Sequence, residues 1–329
     1  MNPLTAWASR RIELPATREN INDYQLRKLR ETLSHVKTHS RFYKNHFPNA
    51  DISGDSAKEL LRDLPFCYPD DLRAAPADFL CVSQSEVSRV VTASWLETSG
   101  TTGRPKRLFF TPDELETTAD FFDYGMRNIA RPGEKVTIFM RGENAPDGGC
   151  GLLTRALKRF GAVGLPYGLV CDPEHARLAL ESSDCAVGVS SQMETIAKLP
   201  GRQPRLRSLL LASDNIPEST AETLKNTWRC EVFSHYGMTE MCFSGAVDCS
   251  EHAGMHICEP DFILEIVDPV SGEQLPDGEH GEIVLTTLTR RAMPLVRYRT
   301  GDLSRILTGT CPCGCELKRL DRVKGHAGM

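Results

Sequence analysis

Hydrophobic residues near the start of the chain recur at helical spacing. Leu26, Leu29, Leu33 and Val36 lie three or four residues apart, so in a helix they share one face. This spacing predicts a helix over residues 20–47, which ends in the aromatic segment RFYKNHF. The proline-rich stretch LPFCYPDDLRAAP after it is typical of a connector.

From residue 113 onward, helical and strand-like segments alternate. The predicted helices are DELETTADFFDYGMRNI, GLLTRALKRF, PEHARLALESS and PESTAETLKNTW. The predicted strands are KVTIFM, AVGLPYG, CAVGVS, RLRSLLLAS and CEVFSHYG. Such alternation is typical of βαβ units and predicts an α/β fold, in which helices cover a mostly parallel sheet.

The pattern changes after about residue 245. DFILEIVDP, GEIVLTTL and LVRYRTGDL are strand-like segments separated by Gly, Pro and Asp turns. We therefore expect an α/β core over residues 1–245 and a smaller β-rich subdomain over residues 246–329.

Composition and charge narrow the functional classes. The 329 residues are 40% hydrophobic and 25% charged, as in ordinary globular proteins. The net charge of −5 argues against a nucleic-acid binder that depends on bulk positive charge. No stretch approaches the roughly 18 apolar residues of a membrane span, and the start MNPLTAWASRRIELP lacks the layout of a signal peptide. We therefore expect a cytoplasmic protein, in which the twelve cysteines are thiols and some of them bind metal.

Small residues cluster in the stretch LETSGTTGRPKRLFFT. The cluster consists of Ser99, Gly100, Thr101, Thr102 and Gly103. Its glycines let the backbone approach a ligand closely, and its hydroxyls and successive backbone amides can donate hydrogen bonds to an anion. Such a cluster is nevertheless often only a loop. Here strand-like segments flank it and Lys106 follows, which favours a polyphosphate site. It is not a Walker P-loop, because Pro105 disfavours helix at Arg104.

Polar residues also follow a predicted strand in SHYGMTE. Tyr236, Gly237, Thr239 and Glu240 come at its carboxyl end, where open α/β sheets bind ligands. Glu240 offers the hard oxygen that Mg²⁺ prefers. From these residues alone, a capped turn with a surface glutamate is an equally good interpretation.

Two further stretches end strand-like segments in polar residues. LLLASDN contains Ala212, Ser213 and Asp214, and RYRTGDL contains Asp302, whose carboxylate could accept two hydrogen bonds from a cis-diol. Each stretch alone is also typical of an ordinary strand exit or turn.

Cysteines and histidines cluster in DCSEHAGMHIC and CPCGC. Thiolates and imidazoles at short spacing suit tetrahedral Zn²⁺, and buried thiols without metal are the alternative. The best quartet is Cys249, His256, Cys311 and Cys313. Possible substitutes are Cys315, His252 and Cys258. The zinc would be structural and would hold the β-rich subdomain together.

The small-residue loop through Lys106, the YGMTE stretch and the RYRTGDL stretch occur in the order of the three signatures of the adenylate-forming superfamily, which this chain resembles. LRKLRETLSHVKTHSRFYKNHF near the start, and GEIVLTTLTRRAMPLVRYRTGDL followed by CPCG, resemble the branch of phenylacetate–CoA ligases and coenzyme F390 synthetases. This resemblance covers essentially the whole chain.

The resemblance implies that a carboxylic acid, an aryl acid above all, reacts with ATP to give an acyl-AMP, with CoA or a carrier thiol as the acceptor. It implies that the loop and Lys106 hold the β- and γ-phosphates, Thr239 the α-phosphate and Glu240 the Mg²⁺. Tyr236 would stack near adenine and Asp302 would bind the ribose. Ala212, Ser213 and Asp214 would line adenine and part of the acyl pocket. Further acyl-pocket candidates are Phe139, Tyr167, His235 and Met238.

The chain departs from the family at its end. Relatives continue through a Gly-Arg-x-Asp-Asp hinge into a C-terminal domain that carries a catalytic lysine, whereas this sequence ends in KGHAGM. His326 stands at the position of the arginine, and Gly328 lies near that of the aspartate. We expect that lid domain to be absent, which puts thioester formation in doubt.

Two alternatives to an enzyme therefore stay open. The chain could be a degenerate adenylation domain that binds or senses a nucleotide or acid without turnover, or a zinc-stabilised scaffold. A homodimer, or a separate lid-domain or carrier-protein partner, would be compatible with either. Exchange of pyrophosphate into ATP that depends on a carboxylic acid would separate an enzyme from a sensor.

Overall fold

The computed structural model describes residues 2–93, 106–212 and 216–327. The α-helices in these ranges are α1 (Pro3–Ile12), α2 (Arg18–His39), α3 (Arg41–His46), α4 (Ala57–Arg62), α5 (Pro69–Ala74), α6 (Pro112–Met126), α7 (Gly149–Arg159), α8 (Pro173–Glu181), α9 (Ser190–Ala197) and α10 (Glu218–Trp228). The strands are β1 (Arg89–Ala93), β2 (Lys106–Phe110), β3 (Lys135–Phe139), β4 (Val163–Pro166), β5 (Cys185–Gly188), β6 (Ser208–Ala212), β7 (Glu231–Gly237), β8 (Gly245–Val247), β9 (Met255–Ile257), β10 (Phe262–Val267), β11 (Gly281–Thr287), β12 (Tyr298–Ser304), β13 (Ile306–Leu307) and β14 (Arg319–Leu320).

The large sheet has the strand order β13-β14-β9-β8-β7-β6-β5-β3-β4. From β4 to β7 the neighbouring strands are parallel. Helices connect them, because a parallel crossover needs a long connection that packs back on the sheet. The remaining four strands extend the sheet in antiparallel fashion. The predicted α/β class is confirmed.

A smaller sheet consists of β10, β11 and β12, all antiparallel. It contains the three strand-like segments that the sequence places after residue 245. Other strands of that region, β8, β9, β13 and β14, belong to the large sheet instead. A boundary of the two regions at residue 245 stays a prediction.

The helix expected over residues 20–47 is divided in two. α2 ends at His39, and Ser40 is extended, with φ −82° and ψ 126°. The Ser40 hydroxyl accepts a hydrogen bond from the amide of Tyr43 and so caps α3. A serine N-cap is a strong local signal, and here it outweighs the hydrophobic periodicity that continues through it.

The fold directs several chain segments to one edge of the large sheet. β3, β5, β6 and β7 run parallel, so their carboxyl ends lie at the same edge, which is where α/β sheets bind ligands. No helix in the described ranges is long and apolar enough to cross a membrane.

Candidate active site

Three distant segments meet in one buried polar network. Lys106 begins β2, Glu240 lies in the turn after β7, and Tyr298 begins β12. The Lys106 ammonium forms an ion pair with Glu240 and donates a hydrogen bond to the Tyr298 hydroxyl at 3.1 Å. That hydroxyl donates to Oε1 of Glu240 at 3.0 Å. At most 5% of each of these residues is exposed.

The charges in this network depend on one another. A buried charge without a partner is strongly destabilising, so Lys106 and Glu240 each require the other. Burial, followed by the neighbouring Glu240 charge, raises the pKa of Tyr298 well above its ordinary value. Tyr298 therefore stays protonated and can act as a hydrogen-bond donor at neutral pH.

Asp302 lies on the same strand as Tyr298, four residues further on. The Tyr236 hydroxyl donates a hydrogen bond to its Oδ2 at 2.8 Å, and both residues are buried. Because Tyr236 is four residues before Glu240, the segment SHYGMTE connects Asp302 to the Lys106 network.

The end of the chain packs beside Asp302. The backbone of Leu303 hydrogen-bonds to Gly325 and Lys324 at 2.9 Å, so the tail pairs with β12. Nδ1 of His326 lies 3.3 Å from Oδ1 of Asp302. Gly301 has a φ of +83°, and a Cβ there would collide with the His326 imidazole. This position therefore requires glycine.

Tyr236→Phe removes the hydroxyl that orients Asp302 and should weaken any ligand held by that carboxylate. We expect the KM for ATP in pyrophosphate exchange to rise roughly 3- to 10-fold, the effect of about 1 kcal/mol, because Tyr236 acts through Asp302 and does not itself contact the sugar. The kcat should change less, since Asp302 is expected to contact the sugar and not the reacting phosphorus. An unchanged KM in a folded variant would contradict this role.

An apolar cavity of about 40 Å³ lies between the sheet and helices α6 and α7. Its lining consists of Phe121, Phe122, Gly125, Met126, Met140, Leu153, Val187, Leu210, Ala212, His235, Phe243 and Val247. Ala212 and His235 pair at the carboxyl ends of β6 and β7. The cavity is therefore close to the segment that carries Tyr236 and Glu240, and its walls are almost entirely apolar.

The turn after Glu240 shapes one wall of this cavity. Cys242 and Phe243 both have positive φ, 53° and 69°, which is uncommon for residues with a side chain. A Cβ at Gly237 would lie 2.6 Å from the carbonyl oxygen of Phe243, so only glycine allows the turn to fold back this closely. This backbone places the Phe243 ring in the cavity wall.

Acid should destabilise the protein partly through His235. Burial lowers the pKa of His235 from 6.5 to about 4. Between those values the unfolded chain binds more protons, so the free energy of unfolding rises with pH across this window. His235→Gln should reduce the loss between pH 7 and pH 5 by about 2 kcal/mol in urea unfolding. Between pH 7 and pH 5, the exposed His39→Gln control should lose as much stability as the original protein. If His235→Gln lost the same amount over this interval, the imidazole of His235 would not be buried in its neutral form.

The remaining predicted residues fall as follows. Thr239 is next to Glu240, Gly237 ends β7, and Ala212 ends β6. Ser213 and Asp214 lie outside the described residues, as do Ser99, Gly100, Thr101, Thr102 and Gly103. The roles given to all these residues stay predictions.

The acid-pocket candidates differ in their relation to this cavity, and their role stays a prediction. His235 lines the cavity, but Phe139 and Tyr167 do not; their rings pack on each other with centroids 4.7 Å apart. Met238 packs against the hydrophobic core without lining the cavity. Phe121 and Phe122, which line the cavity from α6, could not be found from strand ends. Tyr298 was also not among the predicted site residues, although it is part of the RYRTGDL stretch.

A second cluster contains the four residues of the predicted zinc quartet, Cys249, His256, Cys311 and Cys313. One ligand atom from each lies within 4.8 Å of all the others. Sγ of Cys249 is 3.7 Å from Sγ of Cys311, and Sγ of Cys313 is 3.3 Å from Nε2 of His256. The arrangement has the donor set and compactness of a tetrahedral Zn²⁺ site.

The surroundings of this quartet favour metal binding. Nδ1 of His256 lies 3.3 Å from the carbonyl oxygen of Leu317, which leaves Nε2 for a metal. Burial lowers the pKa of His256 to about 4, so the ring is neutral. The three possible substitute ligands do not belong to the cluster. His252 pairs with Asp248, Cys258 contacts Asp261, and Cys315 lies outside the quartet.

Comparisons with known proteins show the family to which this chain belongs. The family model described as AMP-binding enzyme matches residues 19–288. The phenylacetate-coenzyme A ligase of Pseudomonas putida is 30% identical over 325 residues, which are 95% of this chain and 72% of that protein. That of Escherichia coli K12 is 28% identical over 327 residues, with the same coverage of both. A crystal structure of 2-hydroxyisobutyryl-CoA ligase with 2-HIB-AMP and CoA has a TM-score of 0.80 at 23% identity, and covers 93% of this chain and 68% of that one.

Proposed function

Because this chain belongs to the family of AMP-binding enzymes, the adenylate-forming superfamily, we propose that it activates a carboxylic acid with ATP to give an acyl-AMP and pyrophosphate. The observation that carries the proposal is the meeting of Lys106, Glu240 and Tyr298 beside the pair of Tyr236 and Asp302. These residues come from separate segments, and each offers a functional group that can bind part of a nucleoside triphosphate.

The first step requires positioning and charge neutralisation more than proton transfer. The acid is already ionised at neutral pH, so no general base is needed. A carboxylate oxygen attacks the α-phosphorus, the bond from that phosphorus to the bridging oxygen breaks, and pyrophosphate leaves. Holding the two anions in line and balancing their charge is the main contribution a protein can make to such a reaction.

Lys106 can contact phosphate without leaving Glu240. An ammonium group has three N–H donors, and the described contacts use one for Glu240 and one for Tyr298. The third donor is available to a β- or γ-phosphate oxygen. Thr239 would donate its hydroxyl to the α-phosphate, and Asp302 would accept from the two ribose hydroxyls while Tyr236 holds it in place.

Glu240 is also the residue that would hold Mg²⁺. Its Oε1 accepts the bonds from Lys106 and Tyr298, whereas its Oε2 has no hydrogen bond to any described residue. A carboxylate oxygen is the type of ligand that Mg²⁺ takes from a protein before completing its shell with phosphate and water. When bound, the ion would neutralise charge on the phosphates.

The apolar cavity would hold the body of the acid, with the carboxylate directed toward Thr239. At about 40 Å³ it is smaller than the roughly 150 Å³ that a benzene ring occupies in a protein cavity, so it would have to widen to bind an aryl acid. We propose an aryl acid as the substrate and CoA as the thiol that then attacks the acyl carbonyl and releases AMP. The ligases from Pseudomonas putida and Escherichia coli are named for phenylacetate, which has such an apolar body. The zinc quartet is proposed to hold a structural Zn²⁺ that ties the turn after β8 to the loop between β13 and β14.

The test is the exchange of labelled pyrophosphate into ATP, measured with a panel of aryl and aliphatic acids. Exchange that depends on one of these acids supports the enzyme. Binding of ATP without exchange for any acid supports the alternative, a domain that senses the nucleotide or acid without turnover.

A further inference from the structure

One polar atom stands out in the apolar cavity. Nε2 of His235 is buried and has no hydrogen-bond partner among the described residues. The other side chains of the lining are apolar, and the Phe122 ring meets the imidazole edge-on at a centroid distance of 6.0 Å. Buried polar atoms in proteins nearly always have a partner, so an exception requires an explanation.

The strand directs this atom to the cavity. Successive side chains of a strand point to opposite faces of the sheet. Tyr236 lies on one face of the sheet and hydrogen-bonds to Asp302. His235, one residue earlier, lies on the other face and lines the cavity. His235 therefore directly precedes the residues that are proposed to bind the nucleotide. Its side chain would contact the body of the acid at the end nearest to those residues.

Packing alone does not explain a histidine here. A leucine or methionine would fill an apolar wall without leaving a nitrogen unpaired, and an unpaired buried group lowers stability. We propose that His235 is a specificity residue that selects an acid whose apolar body carries a hydroxyl group, which hydrogen-bonds to Nε2. The inference rests on the proposed function, since it places the acid in this cavity.

The chemistry of the cavity restricts what the group can be. A second carboxylate or an ammonium would be buried among apolar side chains without a counter-charge, which is strongly unfavourable. Burial keeps the imidazole neutral, with its pKa lowered to about 4, so it offers no charge for such a group. A hydroxyl both donates and accepts, so it can pair with Nε2 in either tautomer of the ring.

The experiment compares acids that differ by one hydroxyl. The kcat/KM for pyrophosphate exchange is measured with phenylacetate and its 2-, 3- and 4-hydroxy derivatives, with benzoate and the hydroxybenzoates, and with propionate, lactate and 3-hydroxypropionate. We expect one hydroxylated acid to exceed its parent by about 10- to 100-fold, because the parent leaves the imidazole unpaired. His235→Leu should bring this ratio to about 1, and His235→Gln should restore part of it.

Two further measurements distinguish selection from a structural role. Met140→Leu changes another wall residue without a polar atom, so it should keep the preference for the hydroxylated acid. His235→Leu should melt at the same or a higher temperature than the original protein, because it removes an unpaired buried nitrogen. A marked fall in its melting temperature would indicate a structural histidine and overturn the proposal.

The failure of this inference can be told from the failure of the proposed function. Exchange with unsubstituted acids that no hydroxyl improves would overturn the role of His235 and leave acid activation intact. Absence of exchange with every acid would overturn both.

Discussion

Glu240→Gln should reduce acid-dependent pyrophosphate exchange by about 100- to 1,000-fold, the range seen when one preorganised electrostatic group is lost from an active site. Glutamine keeps the shape of the side chain and can still accept the bond from Tyr298. It removes the charge that balances Lys106 and the oxygen proposed to hold Mg²⁺. Because Lys106 would then be a buried charge without a counter-charge among the described residues, the free energy of unfolding should also fall, by about 3–5 kcal/mol.

The control for this prediction is Glu259→Gln. Glu259 is equally buried, at 3% exposed, and forms an ion pair with Arg18 at 2.7 Å, outside the Lys106 network. This variant should lose stability and still catalyse exchange. Exchange at the original rate in folded Glu240→Gln would refute the role of Glu240, whatever the stability of the control.

We expect removal of the proposed zinc to have the largest effect on stability. We expect one zinc per chain in metal analysis of the purified protein, and a melting temperature that falls by more than about 10 °C when the metal is chelated, since structural zinc contributes directly to folding. Adding Zn²⁺ should restore it. Cys311→Ser should lose both the metal and the stability, because serine replaces a thiolate ligand in a closed quartet.

Cys315→Ser is the matched control, because Cys315 is also buried and lies in the same CPCGC stretch but outside the quartet. It should keep the zinc. A protein that contains no zinc when prepared in its presence, or in which Cys315→Ser loses the metal as readily as Cys311→Ser, would contradict the assignment.

The α/β class and the order of the motifs could be predicted from the sequence because both depend on local patterns. Alternating segments predict parallel strands, and a strand followed by Tyr236 and Glu240 predicts polar side chains at the edge of the sheet. Short spacings were also informative: Cys311 and Cys313 are two residues apart in CPCGC, and both lie in one cluster with Cys249 and His256.

Contacts between distant segments could not be derived in the same way. Lys106 and Glu240 are 134 residues apart, and no local pattern indicates that they neutralise each other through an ion pair beside Tyr298. The lining of the apolar cavity is a related case. Phe121 and Phe122 line it from α6, whereas the strand ends suggested Phe139 and Tyr167, which do not line it. Which face of a helix meets which part of a sheet is decided by packing of the whole fold.

The most direct measurement is a crystal structure of the protein with a non-hydrolysable acyl-AMP analogue. We predict one bound molecule whose ribose hydroxyls contact Asp302, whose phosphate-like group lies beside Thr239 and whose acyl chain enters the cavity next to His235. A ligand bound away from Asp302 and Glu240, or contacts from these two residues to separate molecules, would contradict a single adenylate-forming site.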